Sequence, residues 1–240
     1  MSFSAGTDAK VYMNGRNIST YLRSAGTNGA RDMLDSTTLG LNDRAFTPGL
    51  RTATFTAEGF YDGGIDAIDA ILAEAMDADA STLTYLPYGD ALGNRGIGID
   101  GDESGYDIAS PVDGLVSIAL NVQSSVGPQP VRVLKALGAV VATANGTGID
   151  QLASSANGGS AILQVTAMDR TTTDETCVVK VQDSADDITY IDLITFVSPT
   201  VPGAQYLTVA GAVDRYVRAQ HTLGGTTPSA TYSLVFHRNA

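Results

Sequence analysis

Residues 52–61 alternate in a way that only an extended backbone can use. Phe55 and Ala57 fall on one side of the run; Thr54, Thr56 and Glu58 fall on the other. A period of two is that of a half-buried strand. A long polar stretch leads into it, rich in turn formers: Ser36-Thr37-Thr38, Gly40, Asn42-Asp43 and Pro48-Gly49. Loops longer than about a dozen residues are uncommon in compact domains and are usually functional or disordered. This one also carries five large apolar side chains, Met33, Leu34, Leu39, Leu41 and Phe46. A merely solvated loop has no use for them.

Strand-like patterns recur along the rest of the chain, with one helical pattern among them. Residues 10–13 read as a short strand that ends in the turn Asn14-Gly15, and Ile18, Tyr21 and Leu22 have the spacing of a single helical turn. Gly63-Gly64 breaks the 52–61 strand. Ile65, Ile68, Ile71, Leu72, Ala75 and Met76 then share one helical face, with Asp66 and Asp69 near its start, where the helix dipole favours anions. Ile65, Ile68, Leu72 and Met76 are the expected core contacts of that helix. Strands follow at 82–86, at 96–99 running on toward Ile108, and at 112–122. The uncharged stretch Ser124-Ser125-Val126-Gly127-Pro128-Gln129-Pro130 reads as a linker. Beyond it no helix is apparent. Strand-like runs at 131–137, 161–167, 177–182, 191–197, 205–213, 215–221 and 232–237 are mostly separated by Gly, Ser, Asn and Pro clusters. Many short strands with regular turn signals indicate a β-sandwich. The expected organisation is mainly β: a first domain over 1–127, a β-sandwich or barrel with one packed α-helix and a long arm loop, a linker at 128–130, and a second β-sandwich over 131–240.

Composition narrows the chemistry. The chain has 240 residues and a net charge of −12. Residues 1–127 hold 7 Lys and Arg against 17 Asp and Glu, a net of −10; residues 128–240 hold 7 against 9, a net of −2. Such a surface opposes grip on a phosphate backbone, which needs clustered cations. No run approaches the roughly 20 apolar residues that cross a bilayer, and MSFSAGTDAK has neither a charged nor an apolar signal-like region. The single Cys177 forms no intrachain disulfide, which fits synthesis in a reducing cytoplasm. No nucleophile elbow, phosphate-binding loop or HExxH motif is present. His221 and His237 read as structural strand residues and Cys177 as a small buried one. No catalytic constellation and no cofactor site emerge. Asp100, Asp102 and Ser104 match the opening of a calcium loop, but Pro111 stands where a bidentate Glu belongs. An acidic hairpin is the preferred reading there and a weak cation loop the alternative.

Asp35, Thr37, Thr38, Leu39, Gly40, Pro48, Gly49, Leu50, Gly59, Phe60, Tyr61 and Asp62 together resemble a pattern of the major tail tube proteins of long-tailed, non-contractile bacteriophages: a DxTTLG-type arm, then a PGL…ATFT…GFYD strand, then a short helix. The resemblance implies a virion structural protein and not an enzyme, made in the host bacterial cytoplasm. It implies six copies closing a ring through joined sheets, and rings stacking through the arm into the conduit for DNA ejection. The arm contacts would be Arg31, Met33, Leu34, Asp35, Leu39, Leu41, Asp43, Arg44 and Phe46, apolar anchors seated in a neighbour while charges fix register. Implied partners are further copies of the chain and the tape-measure, tail-terminator and tail-tip proteins. DNA would pass an acid-lined lumen without specific binding, and no membrane insertion is expected. In the second half, the residues from Val178 to Asp187, then Tyr190-Ile191-Asp192-Leu193 and Arg215-Tyr216-Val217-Arg218, are similar to discoidin-like, galactose-binding-type jelly rolls, with Tyr190 where that pattern commonly has Trp. This implies an outward decorating domain. It also keeps open an alternative function, a carbohydrate- or host-surface-binding module on a structural stem, with Tyr190, Tyr206, Tyr216 and Tyr232 as aromatic candidates.

Overall fold

The computed structural model describes residues 6–78, 80–170, 172 and 174–239. Among them the chain is mainly β with one α-helix. In order come β1 (Lys10–Met13), β2 (Arg16–Asn17), β3 (Leu22–Asp35), β4 (Phe46–Phe60), α1 (Ile68–Asp77), β5 (Ser81–Leu86), β6 (Arg95–Ala109) and β7 (Ser117–Ser124). Then come β8 (Gln129–Val140), β9 (Ala144–Asn145), β10 (Ile149–Asp150), β11 (Gly159–Asp169), β12 (Thr176–Ser184), β13 (Ile191–Thr195), β14 (Gly203–Val209), β15 (Tyr216–Gly224) and β16 (Ser229–Arg238). The alternation read in the second half becomes strands at each expected place.

Two compact units form, and they do not follow the expected boundary. One comprises residues 1–20, 82–98 and 130–240; the other comprises 21–81 and 99–129. The break after residue 129 falls at the expected linker. The correction concerns the N-terminal hairpin and the 82–98 segment, which pack with the C-terminal half.

The physical reason is visible in the first unit. Antiparallel β14, β11, β16 and β8 face a second sheet of β10, β15, β12 and β13, with β9 beside β15. Val179, Val181, Val217, Leu163, Tyr232 and Leu234 belong to the core between them, and each is essentially inaccessible. Tyr12 of β1 and Leu86 of β5 form a further cluster with Val131, Val133, Ile162 and Val235. Polar bonds fix this arrangement. Asn14 (φ 48°) and Gly15 (φ 78°) make the β1–β2 turn, as Asn-Gly pairs do in tight hairpins. Buried Gln164 accepts from the Gly15 N–H at 2.7 Å and donates to the Thr82 carbonyl at 3.0 Å. Asp90 accepts from the Tyr12 hydroxyl at 2.9 Å and the Leu137 N–H at 2.8 Å. A tight turn, a hydroxyl and a buried amide thus attach segments far apart in sequence.

The second unit is the sheet β3-β4-β7 with residues 99–109 of β6, together with α1. Phe55 lies opposite Val122, Ala57 opposite Leu120 and Gly59 opposite Ile118, which puts the buried positions of β4 and β7 on one face. Ile68, Ile71, Leu72 and Ala75 are the buried residues of α1, at the i, i+3, i+4, i+7 spacing of one face. Two expected helix contacts differ. Ile65 precedes the helix and is 98% exposed, because Gly63-Gly64 and Asp66 (φ 59°) form the turn that delivers the chain to Ile68. Met76 lies in the last turn, off the buried face, and is 45% exposed.

Candidate inter-subunit arm

The arm expected as a loop over 31–49 is a two-stranded ribbon. β3 and β4 are 14 and 15 residues long and pair from Leu22↔Gly59 out to Asp35↔Phe46. Only residues 36–45 turn the corner. The correction has a backbone cause: a segment of modest strand propensity is paired along its length by β4, whose alternation carries both. Pro48 sits opposite Met33, where the register shifts between Arg31 and Met33. Proline, lacking an N–H, is tolerated in sheets at bulges and edges.

Hydrogen bonds order the tip. The Asp35 carboxylate accepts from the Thr37 N–H at 2.9 Å, and bonds from the Thr37 side chain and backbone hold this carboxyl below its ordinary range. Ala45 N–H donates to the Thr37 hydroxyl at 3.0 Å, and Ser36 N–H donates to the Ala45 carbonyl at 2.9 Å. Gly40 takes φ 102°, a backbone that favours glycine. Arg31 Nε donates to the Gly49 carbonyl at 3.2 Å, bracing the two strands. At the root, Arg23 pairs with Glu58 at 2.8 Å in the open.

Residues 28–44 are exposed on both strand faces, and so are nearly all of 46–52. Met33, Leu34, Leu39, Leu41, Phe46 and Leu50 therefore face solvent, Leu39 fully and Leu50 at 79%. The ribbon places Arg31, Asp35, Asp43 and Arg44 among them. Its inner end is fixed by contacts that sequence reasoning missed. A Cβ on Gly29 would come within 2.9 Å of the Pro128 ring, and one on Gly127 (φ 77°) within 3.3 Å of the Arg51 side chain. The expected linker thus packs on the ribbon's root. The signal available was the Gly-Pro pair itself, whose contact partner no local pattern names.

The other candidates land elsewhere. Asp100, Asp102 and Ser104 lie within the continuous strand β6, not in a hairpin or loop, because Gly105 (φ 152°) absorbs a bulge and the strand runs on. Alternate residues of a strand do not wrap an ion. Among the described residues no group of three or more His, Cys, Asp or Glu is placed to hold a metal. Cys177 is buried, and burial pushes its thiol up to about 11. His221 Nε2 donates to the Ala142 carbonyl at 3.0 Å and Nδ1 accepts from the Tyr232 hydroxyl at 3.0 Å, a cross-sheet link that fixes the neutral tautomer. Burial lowers its pKa, and nearby Lys135 adds to the effect. His237 bonds the Pro130 carbonyl at 2.7 Å. A cleft of about 270 Å³ opens beside Lys135, Asn145 and His221.

Of the four tyrosines, Tyr232 is fully buried and leaves the list of surface candidates. β12 lies between β13 and β15. On the outer side, Arg218 stacks 3.7 Å from the Tyr190 ring centre and donates to Gln182 at 2.9 Å; Gln182 in turn donates to Asp192 at 2.7 Å.

No protein-family model and no curated protein matches the sequence. Solved structures give partial likenesses. A chain of the virion of the native gene transfer agent particle aligns with 52% of this chain and 97% of its own, at TM-score 0.45 and 16% identity. The SPP1 tail tube aligns with 53% of this chain and 78% of its own, at 0.43 and 14%. The SPP1 Dit protein, a hub of the adsorption apparatus of phages infecting Gram-positive hosts, aligns with 96% of this chain and 99% of its own, at 0.37 and 15%.

Proposed function

We propose that this chain is a structural subunit of a bacteriophage tail that assembles with copies of itself into stacked rings, six to a ring, enclosing the conduit for DNA. The observation that carries the reading is the β3–β4 ribbon, a long, internally ordered projection that holds large apolar side chains in water. Exposed contiguous apolar surface marks interaction sites, and the order of its tip lowers the entropy lost on docking. The resemblance of residues 35–62 to tail tube proteins supports another copy as the partner. Assembly is the function, with no catalytic step, and the tape-measure, terminator and tip proteins are the expected further partners.

Negative-stain microscopy of the purified chain across a concentration series tests this. The control variant replaces residues 36–45 with Asn-Gly, a turn that closes the Asp35↔Phe46 pair without a tip. Rings or tubes from the intact chain and none from the variant are expected. A monomer at every concentration counts against self-assembly.

A second reading is favoured by the Arg218–Tyr190–Gln182–Asp192 network. Its planar, charge-balanced groups on an uncovered sheet face suit hydroxyl-rich ligands, so glycan binding at the outer sheet is the alternative. A glycan array with the intact chain and an Arg218→Ala variant decides it.

A further inference from the structure

The ribbon grows from a sheet whose interior holds one carboxyl group without a partner. Glu103 lies opposite Val122, which lies opposite Phe55, so all three share the buried face. The residue is 8% exposed, and neither carboxyl oxygen has a hydrogen-bond partner. Among the described residues, the other buried side chains of this unit are Ala53, Phe55 and Ala57 on β4; Ile118, Leu120, Val122 and Ser124 on β7; Ile99 on β6; Ala67 and the four buried residues of α1; and Ser81 and Gln129. None of them is titratable. Tyr106, past the bulge, is half-buried opposite Leu120. Asp100 and Asp102 of β6 and Glu58 of β4 alternate to the other face of the sheet. No cation faces Glu103 from any described strand or from the buried face of α1.

A β-bulge lies directly beside this group. The register slips between Glu103 and Gly105, where the Ser104 hydroxyl donates to the Asn121 carbonyl at 3.2 Å. A bulge leaves a residue unpaired and disrupts the ladder locally.

We propose that Glu103 is a proton-operated latch at the root of the ribbon: protonated, it stays inside as a neutral side chain; ionised, it draws the β6–β7 ladder open at the bulge to reach water. Burial alone pushes this carboxyl up from 4.5 to about 7. The opened chain releases its proton near 4.5 while the closed chain keeps it until about 7, so closure is strongest below 4.5 and is progressively lost as pH rises to 7. Two and a half pH units correspond to at most about a 300-fold change in the opening equilibrium. Because β7 also pairs with β4 from Thr54 to Phe60, the latch acts on the strand that bears the ribbon.

Hydrogen-exchange mass spectrometry of the full chain at pH 5 and pH 8, corrected for intrinsic rates and compared with Glu103→Gln, tests it. The expected result is a wild-type loss of protection in residues 99–105 and 117–124 at pH 8 at least tenfold larger than in the variant. Equal pH dependence in the two chains overturns the latch. If the variant does not fold, carbon-13 titration of the wild-type Glu103 carboxyl decides: a midpoint near 7 supports the proposal and one near 4.5 overturns it.

Discussion

Gly59 brings the backbone of β4 against that of Tyr21. A Cβ there would lie 2.2 Å from the Tyr21 carbonyl oxygen and 3.1 Å from Leu22 Cα, both backbone atoms with little room to yield. Gly101 is as crowded, 2.1 Å from the Gln123 carbonyl. Gly59→Ala and Gly101→Ala are each expected to cost at least about 1–3 kcal/mol, the usual range for overpacking, read as a lower urea midpoint. His221 supplies a pH prediction in the other unit. Its pKa is lowered in the folded chain, so the unfolded chain binds the extra proton. The stability it contributes is complete above the ordinary value of about 6.5 and falls as pH drops below it. Amide protection of β12 and β15 should therefore weaken from pH 7 to pH 5, and His221→Gln should remove that slope. This trend opposes the Glu103 trend, so local readouts, not a global midpoint, separate them.

At the scale of elements, α1 and the ribbon make different demands. Ile68→Ala or Leu72→Ala empties a fully buried site and should cost about 2–5 kcal/mol. Ile65→Ala removes an exposed side chain and should fall within about 0.5 kcal/mol of wild type, measured in the same denaturant series. The helix itself was legible, because its apolar spacing fixes a face. Its first turn was not, because the positive φ of Asp66 is a property of the turn. The ribbon divides the same way. β4 was read from Thr54, Phe55, Thr56 and Ala57. β3 was not, because Ser24, Gly26, Asn28 and Gly29 are poor strand formers that extend only when paired. Deleting the ribbon's tip should leave near-native circular dichroism and thermal midpoint, since it touches none of the buried core.

Over the whole molecule the acidic excess gathers in one unit. Residues 21–81 and 99–129 hold 4 Lys and Arg against 15 Asp and Glu, a net of −11; the remaining residues hold 10 against 11, a net of −1. Under the proposed tube role, an acidic unit facing the conduit would repel passing DNA. Fluorescence anisotropy with duplex DNA at about 50 mM salt should detect no binding, since affinity without cation contacts has little electrostatic source. The sequence by itself determined what repeats locally: the strands of the second half, the helix, the Asn-Gly turn, the apolar content of the arm and the sign of the charge. These rest on spacing and side-chain type, which act over a few residues. Tertiary structure alone decided which strands pair, and hence that residues 1–20 and 82–98 join the C-terminal half, that the arm is a ribbon, and that Glu103 is shut inside without a partner. Those outcomes depend on register between segments distant along the chain: shifting a strand by one residue exchanges its buried and exposed faces.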